Sequence, residues 1–254
     1  MKVLGIDIGG TGIKGAVVDT KRGVLKTDRL RLLTPEHPDP AKVSAVLATI
    51  VSHFDWDGPI GCTFPGVTKD GTIHTAANLV PDWIGQDAAA TFGRATGCPV
   101  TVLNDADAAG LAETAFGAAA ARRGVVVTVT LGTGIGTAVL HDGVLMPNTE
   151  LGHLPLHGGD AEKYASELVR ERENLDYPTW GGRVGEYLRL LEDLLWPDLF
   201  VIGGGISKRA DKFFPYIECR TEIVAARLLN QAGIVGAALA AAQRHAKHKL
   251  KRPK

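Results

Sequence analysis

The first half of the chain alternates short apolar runs with segments of helical periodicity. The runs at 3–8, 13–19 and 24–33 predict three successive strands. Between residues 41 and 54, apolar side chains recur every three to four positions, which predicts a helix. The same patterns then predict a strand at 59–64, a helix at 86–96, a strand at 99–103 and a helix at 106–116. The first half is therefore predicted to open as βββα and to continue with alternating strands and helices.

The second half opens with the same order of elements. Apolar runs at 125–131, 136–140 and 144–146 predict three more strands. The later elements predicted in this way are helices at 163–172 and 184–195, a strand at 199–202 and a last helix at 234–248. Such a repeat predicts an α/β protein with two similar lobes that face a cleft. We assign residues 1–108 and the helix 234–248 to a small lobe, residues 109–233 to a large lobe, and residues 249–254 to a basic tail.

Each half has a glycine turn after its first strand. The first turn is Gly9-Gly10-Thr11-Gly12, and the second contains Gly132, Thr133 and Gly134. Turns without Cβ atoms let backbone N–H groups approach phosphate oxygens, and the threonine hydroxyls add donors. Asp7 interrupts the first apolar strand, and a carboxylate beside a phosphate indicates a magnesium ion between them. The alternative is an ordinary hairpin turn in which Asp7 accepts a backbone hydrogen bond.

Composition narrows the class of protein. The chain has 254 residues, 45% of them hydrophobic, which is enough for a substantial core. Its formal net charge is +0, so no overall field attracts nucleic acid or an anionic membrane. The three cysteines are widely spaced, which predicts neither a disulfide framework nor a metal cluster and fits a reducing cytoplasm. We expect no signal peptide and no membrane anchor, because the first strand begins almost at Met1 and no apolar run is long enough to span a bilayer.

Polar residues at two further positions are candidates for sugar chemistry. Asp105 lies between a predicted strand and a predicted helix, where it could accept the proton of a sugar hydroxyl or, together with Asn104, cap the helix. Glu150 and His153 are three residues apart, so a helical turn would direct both toward the same hydroxyl groups. The alternative for this second pair is a surface turn.

Five motifs, in this order, resemble those of the ROK-family sugar kinases, which have the actin/hexokinase-like ATPase fold (ribonuclease H-like). The matching segments are Asp7-Ile8-Gly9-Gly10-Thr11, Leu103-Asn104-Asp105-Ala106-Asp107, Leu131-Gly132-Thr133-Gly134-Ile135-Gly136, Glu150-Leu151-Gly152-His153 and Gly203-Gly204-Gly205-Ile206. Together they span nearly the whole chain, and five ordered motifs are far more specific than any single one. Some ROK relatives are repressors with an added N-terminal DNA-binding segment, and we expect no such segment here because the first predicted strand begins at residue 3.

The resemblance implies a role for each motif. Asp105 would be the general base that takes the proton of the sugar's terminal hydroxymethyl group. The residues that would fix the hexose are Gly66, Asn78, Asn104, Glu150, His153 and Glu162. The residues that would hold the donor phosphates are Asp7, Gly9, Gly10, Thr11, Gly12, Lys14, Gly132, Thr133, Gly134, Gly204 and Gly205, with Asp7 orienting Mg²⁺ through water. Gly204 and Gly205 also fit a tight strand-to-helix turn, so they do not by themselves indicate ATP.

One departure from the family pattern is large. ROK kinases typically insert a cysteine-rich zinc loop after the Gly-His pair, and this chain has no cysteine between Cys98 and Cys219, so no structural zinc is expected. The shortened segment resembles the polyphosphate glucokinase branch, which includes enzymes that also accept mannose. Cations that could follow a polyphosphate chain, or simply be solvated, are Lys69, Arg94, Lys208, Arg209 and Lys212.

The expected activity is transfer of a phosphoryl group from inorganic polyphosphate, with ATP as a possible second donor, to the 6-hydroxyl of glucose. An ATP-dependent hexose kinase and a sugar-sensing regulator without catalysis are the alternatives, and an actin-like nucleotide switch is a third. The family resemblance also implies a homodimer. The cysteine spacing and the neutral net charge predict a cytoplasmic protein with no nucleic-acid partner and no membrane partner.

Overall fold

A computed structural model of the chain describes residues 1–76 and 79–250. Its strands are β1 (Lys2–Ile8), β2 (Ile13–Asp19), β3 (Val24–Leu25), β4 (Leu30–Leu32), β5 (Ile60–Phe64), β6 (Thr68–Lys69), β7 (Thr72–Ile73), β8 (Val100–Asn104), β9 (Val125–Leu131), β10 (Ile135–His141), β11 (Val144–Met146), β12 (Pro155–Leu156), β13 (Gly159–Asp160), β14 (Leu199–Gly203) and β15 (Ile223–Ala225). Its α-helices are α1 (Pro40–His53), α2 (Ala88–Thr96), α3 (Asp105–Phe116), α4 (Glu162–Ala165), α5 (Glu167–Arg172), α6 (Tyr177–Leu195), α7 (Ala210–Phe213) and α8 (Ala232–Leu250). Short 3₁₀ turns lie at Pro81–Trp83, Leu151–His153, Gly205–Arg209, Phe214–Tyr216 and Leu229–Gln231.

The chain forms two compact units. Unit 1 comprises Met1–Ala112 and Gln231–Lys254, and unit 2 comprises Glu113–Asn230. The lobe limits predicted from the sequence stay a prediction. Residues 251–254 of the predicted basic tail lie outside the described residues, whereas 249 and 250 belong to α8.

The main sheet of unit 1 has the strand order β3-β2-β1-β5-β8, and β4 also pairs with β2. The β1–β2 pair is antiparallel, whereas β5 runs parallel to both β1 and β8. α8 packs directly on this sheet, because Gly5 and Gly61 leave room for the backbone carbonyls of Ile234 and Ala237. The core on this unit includes the buried ring of Trp83, which contacts Phe64 and Phe92. The carboxyl ends of β1, β5 and β8 consequently bring Asp7, the residues after Phe64, and Asn104 to one edge of the sheet.

The main sheet of unit 2 has the order β11-β10-β9-β14-β15. Its strands pair in the same directions, with β10 antiparallel to β9, and with β14 parallel to both β9 and β15. The duplication that the sequence predicted is therefore present in the strand topology. The indole N–H of Trp180, a fully buried α6 side chain, donates to the carbonyls of Ala165 and Ser166 and so anchors α4 and α5.

Three predicted elements differ in their limits, each for a local reason. The strand predicted at 24–33 is divided into β3 and β4, because the Thr27 hydroxyl accepts the N–H of Val17 and interrupts the ladder on β2. The helix predicted at 163–172 is divided at Ser166, which has extended backbone angles and accepts the N–H of Val169 as an N-cap. The helix predicted at 184–195 begins earlier, at Tyr177, because the Asp176 side chain caps it and Pro178 occupies its first turn.

Candidate active site

Asp7 is held at the end of β1 by two neighbouring strands. Its Oδ1 accepts the hydroxyl hydrogen of Thr63 at 2.9 Å, and its Oδ2 lies 3.3 Å from Nζ of Lys14. Thr63 is fully buried in β5 and also accepts the N–H of Ile8 at 3.0 Å. A Cβ on Gly233, in the first turn of α8, would lie 2.8 Å from Asp7 Oδ1. The carboxylate is therefore fixed in direction while 21% of its side chain stays exposed.

These surroundings fit a hydrated magnesium ion. Mg²⁺ keeps several water ligands and needs only one or two carboxylates from the protein. Asp7 supplies one partly exposed carboxylate, and glycine at position 233 lets that carboxylate approach the first turn of α8 closely. The residues present can accordingly hold such an ion through water.

The first glycine turn, Gly9-Gly10-Thr11-Gly12, has three of its carbonyl groups engaged and three of its amides available. The Gly12 carbonyl accepts the Gly9 N–H at 3.2 Å, and the Gly9 carbonyl accepts the hydroxyl of Thr34 at 2.5 Å. Arg31 Nη2 donates to the Thr11 carbonyl at 3.3 Å. Within the described parts of the chain, the N–H groups of residues 10, 11 and 12 donate to no protein acceptor. A turn with free donors and occupied acceptors is suited to an anion.

Asn104 and Gly66 meet at the ends of β8 and β5. Asn104 is buried, and its Nδ2 donates to the Gly66 carbonyl at 3.2 Å. Its Oδ1 accepts the N–H groups of Ala106 and Asp107, so Asn104 is the side chain that caps α3. A Cβ on Gly66 would collide with the Thr75 carbonyl oxygen. Asn78, which the sequence analysis also assigned to hexose binding, lies outside the described residues.

Asp105 is exposed at the first turn of α3. Its Oδ1 accepts the N–H of Ala106 at 2.9 Å. Because Asn104 takes the N–H groups of two successive residues, the helix does not depend on Asp105 for its cap. The Asp105 carboxylate therefore lies exposed beside a helix start that Asn104 caps.

In unit 2, the second glycine turn is joined to Glu162. The Gly132 N–H donates to the Gly134 carbonyl at 3.1 Å, and the Gly132 carbonyl accepts the N–H of Leu168 at 3.1 Å. Glu162 Oε2 accepts the N–H of Ile135, directly after the turn, at 3.2 Å. A Cβ on Gly134 would collide with that carboxylate, and Thr133 between the two glycines is exposed. The turn and the predicted sugar-binding glutamate thus form one structure.

Glu150, His153 and Glu162 lie together in unit 2. Leu151–His153 forms a 3₁₀ turn, which brings His153 Nε2 to 3.8 Å from Glu150 Oε2 and Nδ1 to 3.9 Å from Glu162 Oε1. Burial raises the pKa of Glu150; protonated His153 lowers this pKa and the Glu162 carboxylate raises it. Three adjustable hydrogen-bonding groups in one place are suited to vicinal hydroxyls.

Asp160 is a fourth member of this group that the sequence analysis missed. Its Oδ2 lies 3.6 Å from His153 Nδ1 and 3.1 Å from Lys163 Nζ, and the Lys163 contact is the main cause that lowers the Asp160 pKa. Ligand atoms of His153, Asp160 and Glu162 lie within 4.8 Å of one another, a spacing that could hold a metal ion. The signal was present in the sequence, since Asp160 stands two residues before Glu162.

Gly204 and Gly205 follow β14 in unit 2. Gly204 has a φ of +89°, and a Cβ there would collide with the backbone of Leu131. Gly205 begins the 3₁₀ turn that extends to Arg209. This geometry is that of a tight strand-to-helix connection, and it places a glycine beside the last residue of β9.

Among the described helices, none has the length and apolar character needed to cross a bilayer.

Comparison with known proteins gives consistent results. The sequence profile of the ROK family matches residues 3–170. A polyphosphate glucokinase of Mycobacterium tuberculosis (strain CDC 1551 / Oshkosh) is 52% identical over 237 residues, which cover 93% of this chain and 89% of that protein. A glucokinase of Streptomyces coelicolor is 28% identical, over 92% of this chain and 96% of its own length.

A solved structure extends this agreement to the fold. The inorganic polyphosphate/ATP-glucomannokinase from Arthrobacter sp. strain KM has a TM-score of 0.92 and 47% sequence identity, and the match covers 96% of this chain and 99% of that one. The similarity confirms the predicted actin/hexokinase-like ATPase fold. By its sequence profile, its relatives and its fold, the chain belongs to the ROK family.

Proposed function

We propose that this chain is a polyphosphate-dependent glucokinase. It transfers the terminal phosphoryl group of inorganic polyphosphate to the 6-hydroxyl of glucose and forms glucose 6-phosphate. The observation that carries the proposal is the 52% identity, over 93% of the chain, to a polyphosphate glucokinase. The glycine turns with available amides and the cluster around His153 support the same reaction from the residues themselves.

Asp105 is the general base in this proposal. Its carboxylate accepts the proton of the 6-hydroxyl as that oxygen attacks the phosphorus atom. The exposed position of Asp105 and the capping of α3 by Asn104 support this role. Asn104 in turn orients the loop after β5 through its bond to Gly66.

The proposed contacts to the sugar are hydrogen bonds. The residues to which we assign them are Gly66, Asn78, Asn104, Glu150, His153 and Glu162. Carboxylates accept from sugar hydroxyls, and the imidazole can donate or accept according to its tautomer. The pKa of Glu150 is raised by burial, so this group becomes a weaker acceptor when the solution turns mildly acidic.

The donor is held by the glycine turns. Backbone N–H groups of Gly10, Thr11 and Gly12 and of Thr133 and Gly134 bind phosphate oxygens, while the Gly9 and Gly132 N–H groups close the two turns. Thr11, Thr133 and Lys14 are side-chain donors. Asp7 would hold hydrated Mg²⁺, which when bound supplies positive charge that neutralises the donor phosphates. Gly204 and Gly205 resemble the nucleotide-binding turn of ATP-using family members, which supports ATP as a second donor.

Three wider expectations belong to the same proposal. The protein acts in the cytoplasm, forms a homodimer and requires no nucleic acid or membrane partner. The Arthrobacter relative is named for polyphosphate and ATP as donors and for action on glucose and mannose, which supports mannose as a second acceptor here.

The deciding experiment measures glucose 6-phosphate formation with magnesium and glucose, in parallel with nucleotide-free polyphosphate and with ATP. Turnover with polyphosphate is expected. Turnover with ATP alone would make the protein an ordinary ROK glucokinase, and sugar binding without turnover on either donor would favour a regulator. Asp105→Asn should keep glucose binding and lose turnover, and near-normal activity of that variant would exclude Asp105 as the base.

A further inference from the structure

A row of charged side chains crosses three strands beside the first glycine turn. Asp7 is opposite Lys14 in the β1–β2 ladder, and Lys14 is opposite Arg31 in the β2–β4 ladder. Residues directly opposite each other in antiparallel strands have their side chains on the same face of the sheet. Arg31 is therefore the next residue in the row after the Asp7–Lys14 ion pair.

The Arg31 guanidinium extends to the glycine turn itself. Its Nη2 donates to the Thr11 carbonyl at 3.3 Å. A Cβ on Gly12 would lie 2.8 Å from Arg31 Nε and 3.1 Å from Nη2, so the guanidinium fills the space that a side chain at residue 12 would need. Thr34, just after β4, holds this segment against the turn by donating to the Gly9 carbonyl.

Arg31 differs from Lys14 in the charge that faces it. Lys14 lies 3.3 Å from the Asp7 carboxylate. Over residues 1–76 and 79–250, no carboxylate lies within ion-pair distance of Arg31, whose side chain is exposed. Its hydrogen bond to Thr11 uses one of five N–H donors. The remaining donors form a planar fork that matches two oxygens of one phosphate.

The ligand of this site must be an anion that extends past the turn. The amides of Gly10, Thr11 and Gly12 have no protein acceptor in the described residues, which suits one phosphate, and the adjacent guanidinium adds a second anion-binding group. A linear polyphosphate has a negative charge on every phosphate and can occupy both.

We propose that Arg31 binds the phosphate of the donor chain next to the one that is transferred. This inference rests on the proposed polyphosphate donor and identifies a residue for its second phosphate. Arg31 holds the chain in register on the turn and takes no part in proton transfer.

The test compares Arg31→Gln and Arg31→Lys with Arg22→Gln. Arg22 is exposed in the turn between β2 and β3, at the other end of the same strand, and is the matched control. For each protein, KM and kcat are measured for polyphosphate at saturating glucose, KM is measured for glucose, and polyphosphate binding is measured by calorimetry without glucose at several salt concentrations.

Arg31→Gln should raise the polyphosphate KM and Kd by about ten- to a hundred-fold, the usual loss for a hydrogen-bonded charged group. The glucose KM and the Tm should stay unchanged. The slope of log Kd against log salt concentration should decrease by about one, which corresponds to the loss of one phosphate contact. A residue with a merely structural role would not change this slope. Arg31→Lys should lie between, because it keeps the charge and loses the fork.

The outcomes separate this inference from the proposed function. Polyphosphate turnover in the unaltered protein, with Arg31→Gln within twofold of it in KM, Kd and salt slope, would overturn the role of Arg31 and leave the glucokinase proposal intact. Polyphosphate binding that depends on Arg31 without any turnover would support the site and overturn the glucokinase proposal. Equal losses in Arg31→Gln and Arg22→Gln would reduce the effect to general charge and overturn the site.

Discussion

The two glycine hairpins have the same backbone plan and different side chains. In each, the first glycine of the turn donates to the last, and the carbonyl of that first glycine accepts from a distant segment. The last pair of each strand ladder is apolar, Ile8 with Ile13 and Leu131 with Ile135. The next pair inward is Asp7 with Lys14 in unit 1 but Thr130 with Gly136 in unit 2.

The difference indicates that the two hairpins have different roles. The first hairpin has a carboxylate and two cations of its own, because β4 adds Arg31 to the row. The second has no charge in the equivalent pair and receives a carboxylate from α4 through the bond of Glu162 to Ile135. The first is therefore suited to a metal ion and an extended donor, and the second is joined to Glu162, the residue that we propose binds the sugar.

The greatest loss of activity is expected when the charged pair of the first hairpin is removed. Asp7→Asn removes the carboxylate that would hold Mg²⁺, so kcat should fall by about a hundred- to a thousand-fold. Thr130→Val, at the equivalent position of the second hairpin, should stay within about threefold, because it loses one hydrogen bond to the Gly136 carbonyl. Initial rates over a range of magnesium concentrations check this. Equal losses of kcat in the two variants would refute the conclusion that the two hairpins have different roles.

The next effect concerns the link between turn and sugar in unit 2. In Gly134→Ala the new Cβ would displace the Glu162 carboxylate, so the glucose KM should rise by about ten- to a hundred-fold. Gly132→Ala is the control for this constant, because a Cβ there contacts nothing within 4 Å. Steady-state kinetics with saturating donor measures both. If the glucose KM were unchanged in Gly134→Ala, Glu162 would not contribute to glucose binding.

How far the sequence predicted this arrangement depends on the range of each interaction. The limits of β2 and the position of both glycine turns follow from local apolar patterns and from glycine itself, and both were predicted. The bond from Thr63 to Asp7 was not, because it joins residues 56 positions apart and depends on β5 lying beside β1. Arg31 was missed for the same reason, since only the pairing of β4 with β2 brings it to the turn.

A smaller effect tests whether unit 2 depends on a side-chain network where unit 1 depends on strand pairing. Glu186 on α6 accepts from Tyr164 at 3.1 Å and lies 2.7 Å from the His157 ring, so it holds both ends of the segment that contains Asp160 and Glu162. The His157 contact is the main cause that lowers the Glu186 pKa.

Glu186→Ala should raise the glucose KM by about two- to tenfold and leave the donor KM unchanged, as expected for lost hydrogen bonds that position other residues. Asp193→Ala removes an exposed acid from the same helix and should change neither constant. An increase of the donor KM alone in Glu186→Ala would place the network at the donor instead.

The smallest effect is a displacement of the acid limb of the pH profile for kcat/KM of glucose. In the proposed function Glu150 binds sugar as a charged acceptor, and burial raises its pKa, so affinity should fall as the pH drops through a value above the ordinary glutamate value of about 4.3. His153→Gln removes the cation that lowers this pKa and should move the limb to higher pH. Glu162→Gln removes the like charge that raises it and should move the limb to lower pH, in each case by less than about one unit because the groups are partly exposed. Profiles at saturating donor and fixed magnesium measure the midpoint independently of the loss in rate. If the acid limb moved in the same direction in both variants, Glu150 would not be the titrating group. The limb would then have to arise from another carboxylate, such as Asp105.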